Sequence, residues 1–312
     1  MYSIVIPCYN SSATIKRVVE QTMEELKKIN IEKYEFILVN DCSPDGGKTI
    51  KVLKEMAEKY NCVTVLDLAK NFGQHNASLA GLNYAKGDAI ISMDDDMQTH
   101  PSQLKYLIQE YNKGYDIVYG YYPEKKHSPL RNLASYLNYL SVRILIGKPK
   151  ELKTSSFWII RKYVRDYVIQ YKRKNVYLQG LFLRVTNNIS SIPIKHFERE
   201  IGHSNYNLKK LLRLWSNILG FSVMPLKIAI YLGGIFSLGG FIGAIVVAIH
   251  KILNPSVIVG WSSLMACVFF VAGIILMALG ILGEYIGRII MGINEEPQFV
   301  VREGYNTQEI EE

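Results

Sequence analysis

The sequence lacks the residue patterns that mark several common binding sites. It has four cysteines in 312 residues, and none of them belongs to a Cys-x-x-Cys pair. A structural zinc site and a disulfide framework are therefore not expected, and the thiols are predicted to be reduced in the cytosol. No candidate strand is followed by GxGxxG or GxxxxGKS/T, which argues against a Rossmann dinucleotide site and a P-loop. No basic leader precedes a cleavable apolar stretch, so we expect no signal peptide.

Acidic residues are too few to balance the basic ones. The chain has 36 Lys and Arg against 28 Asp and Glu, which gives a net charge of +8. This excess predicts an anionic partner, which could be nucleic acid, an anionic membrane surface or a phosphorylated substrate. The basic residues cluster near two apolar runs and no nucleic-acid-binding module is recognisable, so we expect no nucleic acid partner.

Charged side chains are absent from two long runs in the last third of the chain, 228–249 and 261–282. Each run is long enough for a membrane-spanning helix of about 20 residues, and together they predict a transmembrane hairpin. The segment before the first run is rich in basic residues, at Lys195, Arg199, Lys209, Lys210, Arg213 and Lys227. Because basic flanks stay in the cytoplasm, the N-terminal domain and both termini are predicted to be cytoplasmic.

Two further segments have an amphipathic pattern. In 208–219 the apolar residues, including Trp215, share one helical face and the basic residues lie elsewhere. This pattern predicts a helix in the lipid headgroup layer. The segment 131–146 has a similar pattern, and both an interfacial helix and a core-facing helix remain open for it.

The first 120 residues alternate apolar runs with helical patterns. Candidate strands are 2–7, 35–40, 63–68, 89–93 and 116–120, and candidate helices are 14–28, 48–60, 76–85 and 101–112. This order predicts an α/β fold with a mostly parallel sheet that helices cover on both faces. Ligands of such sheets bind beyond the carboxyl ends of the strands.

Three consecutive carboxylates, Asp94, Asp95 and Asp96, follow the fourth candidate strand. Since side chains alternate along a strand, Asp94 and Asp96 should point the same way and Asp95 the other way. Neighbouring carboxylates repel each other unless they share a divalent cation, and such cations prefer oxygen ligands. The alternative is a solvated turn before a helix that begins at Pro101.

Asp41 follows the second candidate strand and could accept hydrogen bonds from a base or a ribose. The alternative for Asp41 and for Asp45 is turn chemistry, because the neighbouring Ser-Pro and Asp-Gly pairs are typical of loops.

Several segments in order along the chain resemble the inverting, GT-A-fold polyprenyl-phosphate glycosyltransferases. They are 3–10, 39–43, 70–74, 80–82, 93–98, 199–206, 221–226 and 282–288. That group includes dolichyl-phosphate mannose synthase, the GtrB-type undecaprenyl-phosphate glucosyltransferases and the undecaprenyl-phosphate aminoarabinose transferase. The last three segments flank the apolar runs and favour the bacterial members with two spans.

The resemblance implies a role for each candidate site residue. Asp94, Asp96 and Gln98 would hold Mg²⁺ or Mn²⁺ against the donor diphosphate. The donor would contact Pro7, Tyr9, Asn10, Asp41, Lys70 and Asp95. Arg131 and Arg199 would bind the lipid phosphate, and with Asp94, Asp95 and Asp96 they form the expected catalytic set.

The resemblance also implies the domains and the reaction. A cytoplasmic GT-A catalytic domain would span 1–200, a juxtamembrane interfacial helix 201–227, two transmembrane helices 228–290 and a cytoplasmic tail 291–312. One sugar would pass from a nucleotide diphosphate sugar, expected to be a UDP-sugar, to undecaprenyl phosphate. The enzyme would be a multi-pass protein of the bacterial inner membrane, and a tetramer.

The sequence departs from the family pattern at a few positions. Ser11 stands where an acid often follows Tyr-Asn, Lys70 replaces the usual Arg, and Asn205 stands where many relatives have Lys. The segment 154–160 reads Thr-Ser-Ser-Phe-Trp-Ile-Ile and lacks the acid and Arg that the family often has there.

Two other functions are compatible with parts of the sequence. A processive polysaccharide synthase shares the first strands and the Asp-x-Asp, but it usually adds a Gln-x-x-Arg-Trp motif and more spans, and neither is present. A non-catalytic membrane scaffold that binds nucleotide could tolerate the altered 154–160 segment. The retained carboxylates argue against the scaffold.

Overall fold

The computed structural model describes residues 1–123, 151–172, 176–195, 197, 260–293 and 297–307, with isolated positions between 231 and 253. Arg131, Arg199 and the amphipathic segments 131–146 and 208–219 lie outside the described residues.

The described residues form one mixed sheet of eight strands in the order β7-β5-β6-β4-β1-β2-β3-β8. The strands are β1 (Tyr2–Cys8), β2 (Tyr34–Asn40), β3 (Val63–Leu68), β4 (Ala89–Ser92), β5 (Ile117–Tyr121), β6 (Trp158–Arg161), β7 (Ile189–Pro193) and β8 (Val301–Tyr305). The first five confirm the candidate strands of the sequence with shifts of one residue at some ends. The central strands β4, β1, β2 and β3 are parallel, as predicted.

Helices cover both faces of this sheet. They are α1 (Ile15–Lys28), α2 (Lys48–Lys59), α3 (Gln74–Tyr84), a 3₁₀ turn (Pro101–Gln103), α4 (Leu104–Tyr111), α5 (Lys162–Val168) and α6 (Leu178–Val185). A further helix, α7 (Trp261–Ile293), follows later in the chain. Alternate residues of β1 enter different cores: Ile4 and Ile6 pack with α1, α2 and α4, whereas Val5 packs with α3, α5 and α6. Burial on both faces explains why these strands are apolar throughout rather than alternating.

Helix α3 lies unusually close to the sheet at Gly81. A Cβ atom there would be 2.4 Å from Val5 Cγ1 and 3.2 Å from Val39 Cγ2, so glycine is required. This close approach fixes the helix over β1 and β2, and with it the loop that leads from β3 into α3.

The end of the chain returns to the sheet. Strand β8 pairs with β3 in antiparallel fashion and covers that edge. The segment 291–312, which the sequence predicts to be a cytoplasmic tail, thus contributes a strand to the N-terminal sheet.

Helix α7 contains the second uncharged run, 261–282. Judged on the described residues alone, no helix combines the length and the apolarity that crossing a bilayer requires.

Candidate active site

The predicted carboxylates lie at the carboxyl edge of the sheet, in the loop after β4. Asp94 Oδ1 accepts a hydrogen bond from Gln74 Nε2 at 2.8 Å, and Asp94 Oδ2 accepts a short one from the Ser156 hydroxyl. Gln74 begins α3, and Ser156 lies two residues before β6, the antiparallel neighbour of β4. Side chains from two distant segments therefore orient Asp94.

Asp95 has different partners from Asp94. Its Oδ2 accepts a hydrogen bond from the Tyr9 N–H at 2.9 Å, and its backbone carbonyl accepts one from the Thr14 hydroxyl at 2.6 Å. Burial raises the pKa of Asp95 to about 7, and the neighbouring Asp94 and Asp96 carboxylates add to the rise. Asp95 thereby ties the β4 loop to the loop after β1.

Asp96 closes a tight turn after β4. Its Oδ1 accepts a hydrogen bond from the Gln98 N–H at 3.1 Å, and the intervening Met97 has a φ of 63°. Burial raises the pKa of Tyr122 to about 12, and both Asp94 and Asp96 contribute to that rise. Both carboxylates therefore lie near the Tyr122 hydroxyl.

Asp41 joins the loops after β2 and β3. Its two carboxylate oxygens accept hydrogen bonds from the N–H groups of Phe72 at 2.7 Å and Gly73 at 2.9 Å. Burial raises the pKa of Asp41 to about 6, although these two N–H groups oppose the rise. Asp41 thus holds the 70–74 motif in place.

Asp45 has the local role that turn chemistry predicts. Its Oδ2 accepts hydrogen bonds from the N–H and the hydroxyl of Thr49, at 2.9 and 2.6 Å, in the first turn of α2. The Thr49 hydroxyl oxygen also accepts a bond from the Ser11 N–H at 3.0 Å, so α2 supports the loop after β1.

The remaining predicted donor residues surround the same edge. Pro7 is buried inside β1, whereas Tyr9 is 42% exposed and Asn10 is exposed with a φ of 58°. The Lys70 ammonium lies 5.0 Å from the centre of the Phe72 ring. The described structure therefore brings Pro7, Tyr9, Asn10, Asp41, Lys70 and the three acids to one edge.

The sequence reasoning did not assign Ser156 or Gln74. Both lie in segments that the sequence singled out, Ser156 in the departure at 154–160 and Gln74 in the 70–74 motif. Nothing in the local sequence signals that Ser156 pairs with Asp94, because the two residues are 62 positions apart along the chain.

The oxygen donors at this edge suit a divalent cation whose coordination is completed by a bound substrate. Asp94 and Asp96 offer carboxylates and Gln98 an amide oxygen. Among the described residues no group of three or more His, Cys, Asp or Glu side chains is placed to hold an ion alone. Mg²⁺ is commonly held by one or two carboxylates together with substrate phosphates, so this sparse donor set suits it.

Two family models match the chain. The model of glycosyl transferase family 2 matches residues 3–169, and the model of the GtrB C-terminal hairpin matches residues 224–289. The first match includes β1 to β6 and ends just after α5, and the second match includes both uncharged runs.

Relatives match along nearly the whole length. The uncharacterized glycosyltransferase YkcC of Bacillus subtilis is 33% identical, over 98% of this chain and 95% of its own. The undecaprenyl-phosphate 4-deoxy-4-formamido-L-arabinose transferase of Serratia proteamaculans is 29% identical, over 99% of this chain and 97% of its own.

A solved structure confirms the predicted fold class. The glucosyl-3-phosphoglycerate synthase of Mycobacterium tuberculosis superposes with a TM-score of 0.51 and 18% identity, over 71% of this chain and 80% of its own. The motif-based resemblance is confirmed by the family matches, and the chain belongs to glycosyl transferase family 2 and is a glycosyltransferase.

Proposed function

We propose that this enzyme transfers one sugar from a nucleotide diphosphate sugar, expected to be a UDP-sugar, to undecaprenyl phosphate with inversion of the anomeric centre. The observation that carries the proposal is the arrangement after β4. Asp94 and Asp96 both lie near the Tyr122 hydroxyl, while Asp95 accepts a hydrogen bond from the loop after β1. The name of the Serratia relative supports the choice of acceptor.

The cation is proposed from the donor set and from a structural neighbour. Asp94, Asp96 and Gln98 would hold Mg²⁺ or Mn²⁺, and the M. tuberculosis synthase was crystallised with Mn²⁺ and UDP. When bound, the cation would neutralise the departing diphosphate. Gln74 and Ser156 would hold the Asp94 carboxylate in the orientation that binding requires.

The acceptor chemistry explains the altered 154–160 segment. A lipid phosphate is already ionised near pH 7, so it needs little help from a general base. The 154–160 segment can therefore lack the acid that the family often has there, and the reaction depends on positioning and charge stabilisation. Arg131 and Arg199 are proposed to hold the acceptor phosphate.

The membrane location is supported by α7 and by the hairpin family. Large apolar side chains are exposed along α7, at Leu264, Val268, Val271, Ile275, Leu276 and Leu279. Monomeric soluble proteins rarely expose large apolar patches of this kind. We propose a two-span protein of the bacterial inner membrane, with the domain division given by the sequence and with tetrameric assembly.

The test is a donor screen with mass detection of the lipid product. The purified full-length protein in detergent is incubated with undecaprenyl phosphate, Mn²⁺ or Mg²⁺ and a panel of nucleotide sugars. We expect one donor to give a lipid that carries a single sugar, and Asp96→Asn to abolish it. Asp88→Asn is the control, since Asp88 is exposed and pairs with the N-terminal amine.

The other outcomes identify the rival functions. A polymeric product would indicate a processive synthase. Nucleotide binding without product from any donor would favour the scaffold. Equal turnover by Asp96→Asn and the wild type would contradict the metal assignment.

A further inference from the structure

Strand β8 brings one buried ion pair to the sheet. Arg302 Nη2 and Nε both donate hydrogen bonds to Asp67 Oδ2, at 2.6 and 3.0 Å. The Asp67 side chain is 3% exposed and the Arg302 side chain 53%. A buried carboxylate is costly without a partner, so Arg302 compensates a charge that β3 holds inside the sheet.

The other oxygen of Asp67 orients an asparagine on the next strand. Asp67 Oδ1 accepts a hydrogen bond from Asn40 Nδ2 at 2.7 Å, and Asn40 is buried at the end of β2. Since a carboxylate can only accept, the Asn40 amide must turn its NH₂ group to Asp67. Its carbonyl oxygen therefore points to the loop after β2.

That carbonyl oxygen anchors the loops of the proposed donor pocket. Asn40 Oδ1 accepts a hydrogen bond from the Ser43 hydroxyl at 2.7 Å, and the Ser43 oxygen accepts one from the Asn10 N–H at 3.0 Å. An unbroken series of hydrogen bonds thus runs from Arg302 through Asp67, Asn40 and Ser43 to Asn10. Such a series strengthens each of its members.

The loops at the far end need this support. Asn10 has a φ of 58° and Cys42 a φ of 50°, which is the left-handed region. Residues other than glycine adopt it at some cost in free energy, and the surrounding contacts must maintain it. Ser43 follows Cys42 in the loop after β2, and its hydroxyl oxygen accepts the Asn10 N–H of the loop after β1. The orientation of Ser43 therefore affects both loops.

We propose that Arg302 is a positioning residue of the donor pocket, acting through Asp67, Asn40 and Ser43 on the Asn10 loop. The inference rests on the proposed function, which places Asn10 against the donor nucleoside. It assigns to the C-terminal strand a part in donor binding as well as in sheet stability.

The test compares two neighbours on β8, Arg302→Gln and Glu303→Gln. Glu303 is exposed and its side chain bonds to Lys54 and to the Tyr305 hydroxyl, so its substitution removes a charge from the same strand without removing a partner of the Asp67 carboxylate. We expect Arg302→Gln to weaken UDP binding in the presence of Mn²⁺ about tenfold, since a hydrogen bond to a charged group contributes about that much. Glu303→Gln should bind as the wild type does, as measured by calorimetry on the full-length protein.

Hydrogen exchange gives a second measure that needs no ligand. The backbone N–H of Asn10 should exchange faster in Arg302→Gln than in the wild type. In Glu303→Gln it should exchange at the wild-type rate. If the wild type fails to bind UDP, the proposed donor is wrong, but the exchange of Asn10 still decides whether Arg302 acts on the loop.

A double-mutant cycle separates the series from general stability. Ser43→Ala removes the last link without altering β8, so its effect on Asn10 exchange should not add to that of Arg302→Gln. If Arg302→Gln does not fold, the milder Arg302→Lys takes its place in the cycle. Additive effects, or equal effects of the Arg302 and Glu303 variants, would overturn the proposal.

Discussion

Two acids at different places along the carboxyl edge are held in different ways. Asp41, after β2, accepts the backbone N–H groups of Phe72 and Gly73. Asp94, in the loop after β4, accepts hydrogen bonds from two side chains, those of Gln74 and Ser156. Bonds to backbone N–H groups fix the conformation of a loop, whereas bonds between side chains fix rotamers. Asp41 therefore preorganises a loop, and the orientation of Asp94 depends on side chains from two other segments.

The largest expected effect contrasts two adjacent acids. Asp94→Asn should lower Mn²⁺-dependent UDP binding and turnover by more than about 100-fold. Asp94 is proposed to bind the cation directly, and loss of a residue that only supports a metal ligand already costs about 10- to 100-fold. Asp95→Asn should retain Mn²⁺ binding, since the Asn oxygen can still accept the Tyr9 N–H. Electron paramagnetic resonance of Mn²⁺ measures binding, and the mass assay measures turnover. Equal loss of Mn²⁺ in both variants would contradict the assignment of opposite sides.

An intermediate effect is expected from Asp41→Asn, which tests the donor side. The amide offers one oxygen for two N–H groups, so the N–H of Phe72 or Gly73 loses its partner, at about 1–3 kcal/mol. We expect a raised KM for the donor and a smaller change in kcat. A change in kcat alone would place Asp41 on the chemical step instead.

The same variant should change the dependence of stability on pH. The pKa of Asp41 is raised to about 6 in the folded protein, above the value of about 3.9 in unfolded chains. The folded state binds this proton more tightly, so the stability contribution is present below about pH 4 and is lost as pH rises through about 6. Asp41→Asn should remove that loss, as measured by urea denaturation across this range. An unchanged pH profile would show that Asp41 is ionised throughout.

The smallest effect is expected from Ser156→Ala. It removes one neutral partner of Asp94, which is worth about 1 kcal/mol, or about fivefold in turnover. In the Asp94→Asn background the same substitution should add little, because Ser156 acts through Asp94. A full additional loss in that background would assign Ser156 a direct contact with substrate.

Local pattern was sufficient to predict the parallel half of the sheet. Strands β1 to β5 are apolar runs separated by helical patterns. These features depend on neighbours in sequence, which is why the residues alone reveal them.

The antiparallel additions could not be predicted in the same way. Strand β8 reads Val-Arg-Glu-Gly-Tyr, whose exposed charged residues and glycine give no strand signal, and it is defined by pairing with β3. The Ser156–Asp94 bond and the Arg302–Asp67 pair likewise join residues far apart along the chain. Only the topology brings such partners together.

Strand β8 leaves the ribosome after all the other strands of the described sheet. Nascent domains begin to fold from the N-terminal end, so the edge of β3 stays unpaired until translation has passed the hairpin segment at 224–289. An unpaired edge is a site for aggregation. A premature stop codon shortly before Val301 would therefore leave a sheet that is incomplete and prone to aggregation at the β3 edge.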